Sequence, residues 1–291
     1  MAAFEQKAKG VYYLEVPFGG CWTGIALIKG NRNYLIDSAG SATCIKDYLI
    51  PALSDIGMTL GDIDYLLNTH THGDHIGGHA FIKSCNNGIL IVTSNESADK
   101  LRDPLKYNKL IRAVFPEHSP APNASLSGTE PDIIIEDGYM LEGEMLYIST
   151  PGHDTDAGCW LHIPTKTLIS GDSLQLNGTS VQGIALYMDL PAYKASMEKL
   201  LSLDIDCILA GHEYLPIGAY AIGKDECKEY IRKCDEYVNV YEDIIKKHHA
   251  RGADATTIAK ALIKEVDGTE PDYLFLPLYT VTEHLKKFKK I

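Results

Sequence analysis

At 291 residues, with 45% hydrophobic and 23% charged side chains, the chain has the composition of a soluble globular protein with room for one main domain and a small appendage. Its formal net charge of −12 argues against a nucleic-acid binder, which normally presents a basic face. No run approaches ~18 apolar residues and Met1–Gly10 lacks an apolar targeting core, so a cytoplasmic protein without a membrane span is expected.

The opening reads as a hairpin-rich sheet: strands Tyr12–Val16 and Gly24–Ile28, a turn at Gly30-Asn31, then Asn33–Asp37. Asp37 stands just before Ser38-Ala39-Gly40. There it either caps the next helix or accepts a hydrogen bond behind a metal ligand. A helical pattern through Ile45, Tyr48, Leu49 and Leu53 occupies residues 41–58, with Pro51 marking a kink or restart. The apolar run 64–68 is a buried strand, followed by a short helix over about 78–84. A strand Ile89–Val92 comes next, with a helix from near Glu96. Residues 103–131, punctuated by five prolines, read as a long loop with a short helix near 109–114. Such a loop is either a lid or substrate-binding element, or a plain surface excursion, and its His118 reads as a surface residue.

Strands return at 132–135, 145–150, 159–163, 167–170 and 207–210. Three of these runs end alike, in Gly152-His153, Gly171-Asp172 and Gly211-His212. From about 224 the texture is helical. A one-sided stripe runs over Asp225–His249, a second helix is capped by Asp254 or Thr256, and a third carries Leu278, Val281, Leu285 and Phe288. The chain therefore divides into a main domain, 1–223, and a helical appendage, 224–291. Tyr230, Tyr237 and Tyr241 read as packing residues of that appendage, and His79 as structural. His162, His248, His249 and His284 read as ordinary core-edge or surface residues. Seven cysteines, an odd count without Cys-x-x-Cys, read as reduced thiols used as small hydrophobes.

The densest chemical signal is Thr69–Gly78, where four potential ligands, His70, His72, Asp74 and His75, fall within six positions after a strand. An extended backbone points His70 and His72 the same way, and Asp74 and His75 come from the turn into the next helix. With His153, Asp172 and His212 the set reaches five imidazoles and two carboxylates at strand ends. Seven ligands exceed one tetrahedral site and suit two ions, provided a carboxylate and a solvent oxygen are shared.

These stretches make the sequence resemble the metallo-β-lactamase-fold hydrolases. The likeness runs over about residues 10–222, through Asp37-x-x-Gly40, the His-x-His-x-Asp-His loop, Pro151-Gly152-His153, Ser170-Gly171-Asp172 and Ala210-Gly211-His212. It implies an α/β fold, an αββα sandwich with metals at one edge. It further implies that His70, His72 and His153 hold one ion, that Asp74, His75 and His212 hold the other, and that Asp172 bridges them. The implied cofactor is two zinc ions, with iron or manganese as alternatives, and the implied nucleophile is a bridging water that ionises near neutral pH. Asp74 would orient it and carry its proton.

Departures narrow the group. Asp172 is typically absent from true β-lactamases, and Gln175 stands where quorum-signal lactonases carry a tyrosine, leaving Tyr187 or Tyr193 as stand-ins. Asn177-Gly178-Thr179 differs from the Gly-Cys-Gly-Arg-like stretch of glyoxalase II, and His72 excludes the flavodiiron pattern. The best match is the broad glyoxalase-II-like group. The expected activity is hydrolysis of an ester, thioester or lactone of a small-molecule substrate, with homo-oligomerisation left open. Phosphodiester or RNA cleavage is the runner-up, motivated by Lys246, Lys247, Lys286, Lys287, Lys289 and Lys290. A mononuclear iron sulfur dioxygenase is third.

Overall fold

The computed structural model describes residues 2–288 and contains two sheets. The first takes its strands in chain order: β1 (Glu5–Ala8), β2 (Val11–Phe18), β3 (Cys21–Lys29), β4 (Asn33–Ile36), β5 (Tyr65–Leu67), β6 (Leu90–Ser94) and β7 (Ile133–Ile135). Pairing is antiparallel up to β4 and parallel from β4 to β7. The second holds β8 (Met140–Leu141), β9 (Met145–Ser149), β10 (Gly158–His162), β11 (Thr167–Gly171), β12 (Cys207–Tyr214) and β13 (Gly218–Ile222). Only β11 and β12 run parallel there.

Side-chain alternation divides these strands between three apolar layers. Ala26, Ile28, Tyr34, Ile36, Tyr65 and Leu67 of the first sheet meet Met145, Tyr147, Trp160, Ile169, Cys207 and Leu209 of the second. The intervening residues Leu14, Val16, Ile25, Leu27, Leu35 and Leu66 turn outward under helices. Those helices are α1 (Ala42–Cys44), α2 (Ile50–Asp55), α3 (Gly73–Ile76), α4 (His79–Cys85) and α5 (Asn95–Arg102), with α6 (Pro104–Ala113) beyond them. On the far face of the second sheet, Ile148, Cys159, Leu161, Leu168, Ile208 and Ala210 pack against α7 (Leu190–Leu201), α8 (Lys224–His249), α9 (Ala255–Glu265) and α10 (Phe275–Phe288). The arrangement is the expected αββα sandwich. Strands buried on both faces explain why they read as continuous apolar runs.

The helix restarts beside Pro51, as the sequence led one to expect. One wide turn over Ile45–Leu49 joins α1 to α2, with Ile50 N bonded to Ile45 O, and proline falls at the start of α2 where its missing N–H costs little. Several other details differ from the sequence expectation. In 103–131 the helix begins at Pro104 rather than 109, because Asp103 caps it through Lys106 N at 3.0 Å. Helix α7 and the edge strands β1, β8 and β13 went unassigned. Asp254, not Thr256, caps α9, accepting from Thr257 N at 2.7 Å. His284 is fully buried rather than at a core edge. Tyr230 and Tyr241 are core residues and Tyr237 packs against that core, as read.

The described C-terminal helices share one apolar cluster with the second sheet: Tyr230, Cys234, Tyr241, Leu262 and Val281 lie with Leu174, Tyr193 and Ile208. Among the described residues no helix is long and apolar enough to cross a membrane.

Candidate metal centre

The site forms where strand ends of both sheets meet. Trp160 Nε1 donates to Asn68 O at 3.0 Å and Tyr13 OH donates to Ala210 O, tying the sheets together beside the ligand loop. Each such buried bond contributes about 1 kcal/mol. Register breaks between Ile169 and Gly171, and between Leu209 and Tyr214, release Asp172 and His212 from regular pairing. A Cβ on Gly211 would collide with Asp172 Oδ1, so only glycine lets these two strand ends approach.

All seven side chains singled out in the sequence converge. His70, His72, His153 and Asp172 form one group able to hold a metal ion, and Asp74, His75 and His212 form another. Asp172 lies between them. Its Oδ2 is 3.9 Å from His70 Nε2, 3.5 Å from His153 Nε2 and 3.5 Å from His212 Nε2, while its Oδ1 is 3.3 Å from His75 Nε2. Asp74 Oδ2 is 3.1 Å from His212 Nε2 and 3.7 Å from His75 Nε2.

Four of the five imidazoles are held from behind by a hydrogen-bond acceptor, which fixes the nitrogen left facing inward, and His72 has a carboxylate behind it. His75 Nδ1–H donates to Asp37 Oδ2 at 2.8 Å, and His212 Nδ1–H to Trp22 O at 2.6 Å. His153 Nδ1–H donates to Leu186 O at 3.1 Å. His70 Nδ1–H donates to Thr69 Oγ1 at 3.1 Å, whose own hydroxyl donates to Asp37 Oδ2. His72 is the other way round: Nε2 faces Asp154 Oδ2 at 3.1 Å, so Nδ1 points inward, 3.0 Å from His153 Nε2. The inward His70 Nε2, His75 Nε2 and Asp172 Oδ1 are buried without a hydrogen-bond partner. Orphaned buried lone pairs of this kind are what a cation would satisfy. The donor set fits metal.

The electrostatics agree. Burial, then the neighbouring imidazoles, hold His70 well below the usual histidine range, and burial with His72 pushes His153 down to about 4. Burial also opposes charge on His75, yet Asp172, Asp74 and Asp37 raise it to about 10. Burial works against ionised Asp172 and Asp74, but the surrounding histidines keep both low. Two imidazoles ready to give a lone pair, two poised to exchange a proton for a cation and two ionised carboxylates form a site that binds positive charge.

Asp37 resolves its two readings: Ser41 caps the helix, and Asp37 stands behind His75. Sequence reasoning missed Asp154, although a carboxylate directly after His153 was a visible signal. Asp154 accepts from Tyr107 OH and from Lys100 Nζ at 2.8 Å; Lys100 also donates to Asp156 Oδ1 at 2.7 Å. The backbone acceptors Trp22 O and Leu186 O carry no sequence signature. Gln175 is buried, its Oε1 accepting from Leu186 N at 2.7 Å. Tyr187 and Tyr193 do not stand in for a cavity tyrosine: both are fully buried and stack at 4.9 Å. His79 bonds Ser38 Oγ at 2.6 Å and is structural.

Beside the cluster opens a cavity of about 270 Å³. His72, Asp74, Asp172 and His212 form its floor, and Asn108, Ile111, Arg112, Pro120 and Asn123 come from the 103–131 segment. Phe275 and Leu276 of α10 complete it. That segment is therefore part of the cavity wall rather than a plain excursion.

A sandwich of this build with this histidine–aspartate edge defines a class. The chain belongs to the metallo-beta-lactamase superfamily, whose family model matches residues 18–212. Among particular relatives, it is 26% identical to a beta-lactamase-like protein 2 homolog of Caenorhabditis elegans over 72% of this chain, spanning 61% of that protein's length. It is 29% identical to a hydroxyacylglutathione hydrolase of Rhodopseudomonas palustris, covering 64% of each chain. In structure it superposes with a TM-score of 0.72 on a metallo-beta-lactamase family protein of Thermus thermophilus, at 19% identity over 98% of this chain and 95% of that one.

Proposed function

We propose that the protein is a dinuclear metal-dependent hydrolase acting on an ester, thioester or lactone carbonyl, with zinc as the resident ion. The observation that carries this reading is the position of Asp172, whose carboxylate oxygens reach donor atoms of both ligand groups. His70, His72 and His153 would hold one ion, Asp74, His75 and His212 the other, and Asp172 both. Two such ions, when bound, supply a water that ionises near neutral pH and a Lewis acid for the carbonyl oxygen.

The chain's own residues do the rest. Asp74 lines the cavity floor, and its carboxylate, held ionised by the adjacent imidazoles, accepts the nucleophile's hydrogen bond and returns its proton to the leaving group. Asp37, Thr69 and Asp154 fix the imidazole orientations, and the apolar walls limit bulk water. Likeness to an enzyme named for hydrolysing hydroxyacylglutathione supports chemistry at an acyl carbon. Phosphodiester cleavage gains little from the tail. Lys247, Lys286 and Lys287 face Glu265, Glu283 and Glu242, and Lys289 and Lys290 lie outside the described residues. Seven free thiols fit a reducing, cytoplasmic setting, which belongs to the same proposal.

The test is turnover by zinc-loaded protein on a panel of esters, thioesters and lactones, with chelation as control. Metal-dependent hydrolysis of one class supports the reading. Turnover of phosphodiesters alone, or oxygen uptake with an iron-loaded protein, would overturn it.

A further inference from the structure

Arg112 sits on α6 in the wall of the cavity whose floor carries the metal-ligand cluster. It is the only lysine or arginine on that wall among the described residues. The guanidinium is partly buried, and its Nε has no hydrogen-bond partner. One Nη1–H donates to Asn108 O, on its own helix, at 3.2 Å, and the group lies 5.5 Å over the Phe275 ring. Among the described residues no carboxylate comes within ion-pair distance of it. Arg32 and Arg102, on the surface, do pair, with Asp64 and with Asp99 and Glu130.

A desolvated guanidinium with a free donor edge is costly unless something anionic meets it. In a chain of net charge −12, acidic side chains to neutralise it were abundant, yet among the described residues none pairs with it, and the cavity's own carboxylates, Asp74 and Asp172, belong to the ligand cluster. Burial lowers its pKa, with Asp74 opposing that shift only in part. Asn108 lies one turn earlier on the same wall. Its Oδ1 is taken by Asn123 N at 3.0 Å, and among the described residues its amide Nδ2 meets no acceptor. Arg112 and Asn108, both with unused donors, thus line the same cavity as the ligand cluster. The rest of the lining is mostly apolar, with Phe18, Ile111, Val181, Leu186 and Phe275 beside the polar Thr179 and Gln182.

We propose that Arg112 anchors an anionic oxygen group of the substrate, a carboxylate or a phosphate, separated by an apolar stretch from the carbonyl presented to the metal cluster. This rests on the hydrolase reading and narrows it to small, singly branched or linear acyl compounds with an anionic far end, a size set by the cavity of about 270 Å³. Guanidinium geometry matches both oxyanions in two-pronged fashion, and the apolar segment rewards a short hydrocarbon spacer. The bare alternative is that Arg112 only stacks on Phe275 to hold α6 against α10.

The deciding experiment is calorimetric binding to the protein purified with its metal. Succinate, glutarate and adipate are each compared with the monocarboxylate of equal chain length, and with the phosphonate that replaces one carboxylate of glutarate. One carboxylate is common to every ligand, so contact with the metal cancels. The expected result is about tenfold tighter binding of at least one doubly anionic ligand. Arg112→Met, which keeps bulk over Phe275, removes that preference, and Arg112→Lys keeps part of it. The stronger of the dicarboxylate and phosphonate arms tells carboxylate from phosphate. No preference in the wild type, or a preference that survives Arg112→Met, overturns the proposal.

Turnover of a glutaryl against a pentanoyl thioester separates the two levels. A binding preference without hydrolysis of either, or of any member of the ester, thioester and lactone panel, defeats the hydrolase reading and leaves the anion site. Equal hydrolysis of both, with no binding preference, defeats the anion site and leaves the hydrolase.

Discussion

Asp37 accepts three hydrogen bonds of 2.8 Å, from Thr69 N, Thr69 Oγ1 and His75 Nδ1. It does so from a left-handed backbone conformation, φ 63°, that non-glycine residues rarely adopt and that aspartate tolerates better than most. One carboxylate thus orients a ligand of one group directly and a ligand of the other through Thr69. Asp37→Ala is expected to lower metal affinity about 10- to 100-fold, read by chelator competition. Unchanged affinity would show that packing alone orients His75. Asp154 has the parallel role behind His72, and Asp154→Ala is expected to weaken binding by about tenfold at the group containing His72. The ligands themselves were legible in the sequence because histidine and aspartate after strand–glycine pairs have few other reasons to recur. Their supports were only half legible. Asp37 carries a side chain to notice, whereas Trp22 O and Leu186 O belong to backbone that any residue would supply.

At the scale of elements, two-sided burial made the central strands readable, since β4, β5, β10, β11 and β12 are buried along nearly their whole length and carry mostly apolar residues. The elements passed over are of two kinds. Strands β1, β8 and β13 lie at or near sheet margins, where one face is wet and the apolar signal is diluted. Helix α7 carries an Asp189 cap, Pro191 in its first turn and buried Tyr193, Met197 and Leu200, so its signals are present in the sequence. Its neighbour α10 buries His284, whose Nε2 is 2.6 Å from Tyr187 OH.

Burial, partly opposed by Glu242, pushes the His284 pKa from 6.5 down to about 4. In the window from 6.5 down to about 4 the unfolded chain therefore binds a proton that the folded chain refuses. Stability from this residue is intact above that window and falls as pH drops through it, by about 3 kcal/mol at most. Denaturant unfolding of His284→Gln across this range is expected to show a shallower pH slope than the wild type. Identical slopes would contradict the buried, neutral assignment.

For the whole molecule, the division into residues 1–223 and 224–291 is a proposal about sequence texture, and the packing qualifies how independent the two parts can be. Tyr230, Cys234, Tyr241 and Val281 share a core with Leu174 and Tyr193, and Tyr241 OH donates to Asn177 Oδ1 at 2.7 Å. The same helices complete the cavity through Phe275. A chain ending at residue 223 would expose that core, and it is expected to lose cooperative unfolding and to aggregate. A soluble truncated chain with intact metal binding would show instead that the helices are a true appendage.

Metal content per chain, measured by elemental analysis on protein prepared without added metal, bears most directly on the dinuclear site, with Asp172→Ala measured alongside. About two zinc ions are expected in the wild type, falling to one or fewer in the variant. A single ion unaffected by Asp172→Ala, or one iron, would contradict a shared carboxylate between two ions and with it the proposed hydrolysis.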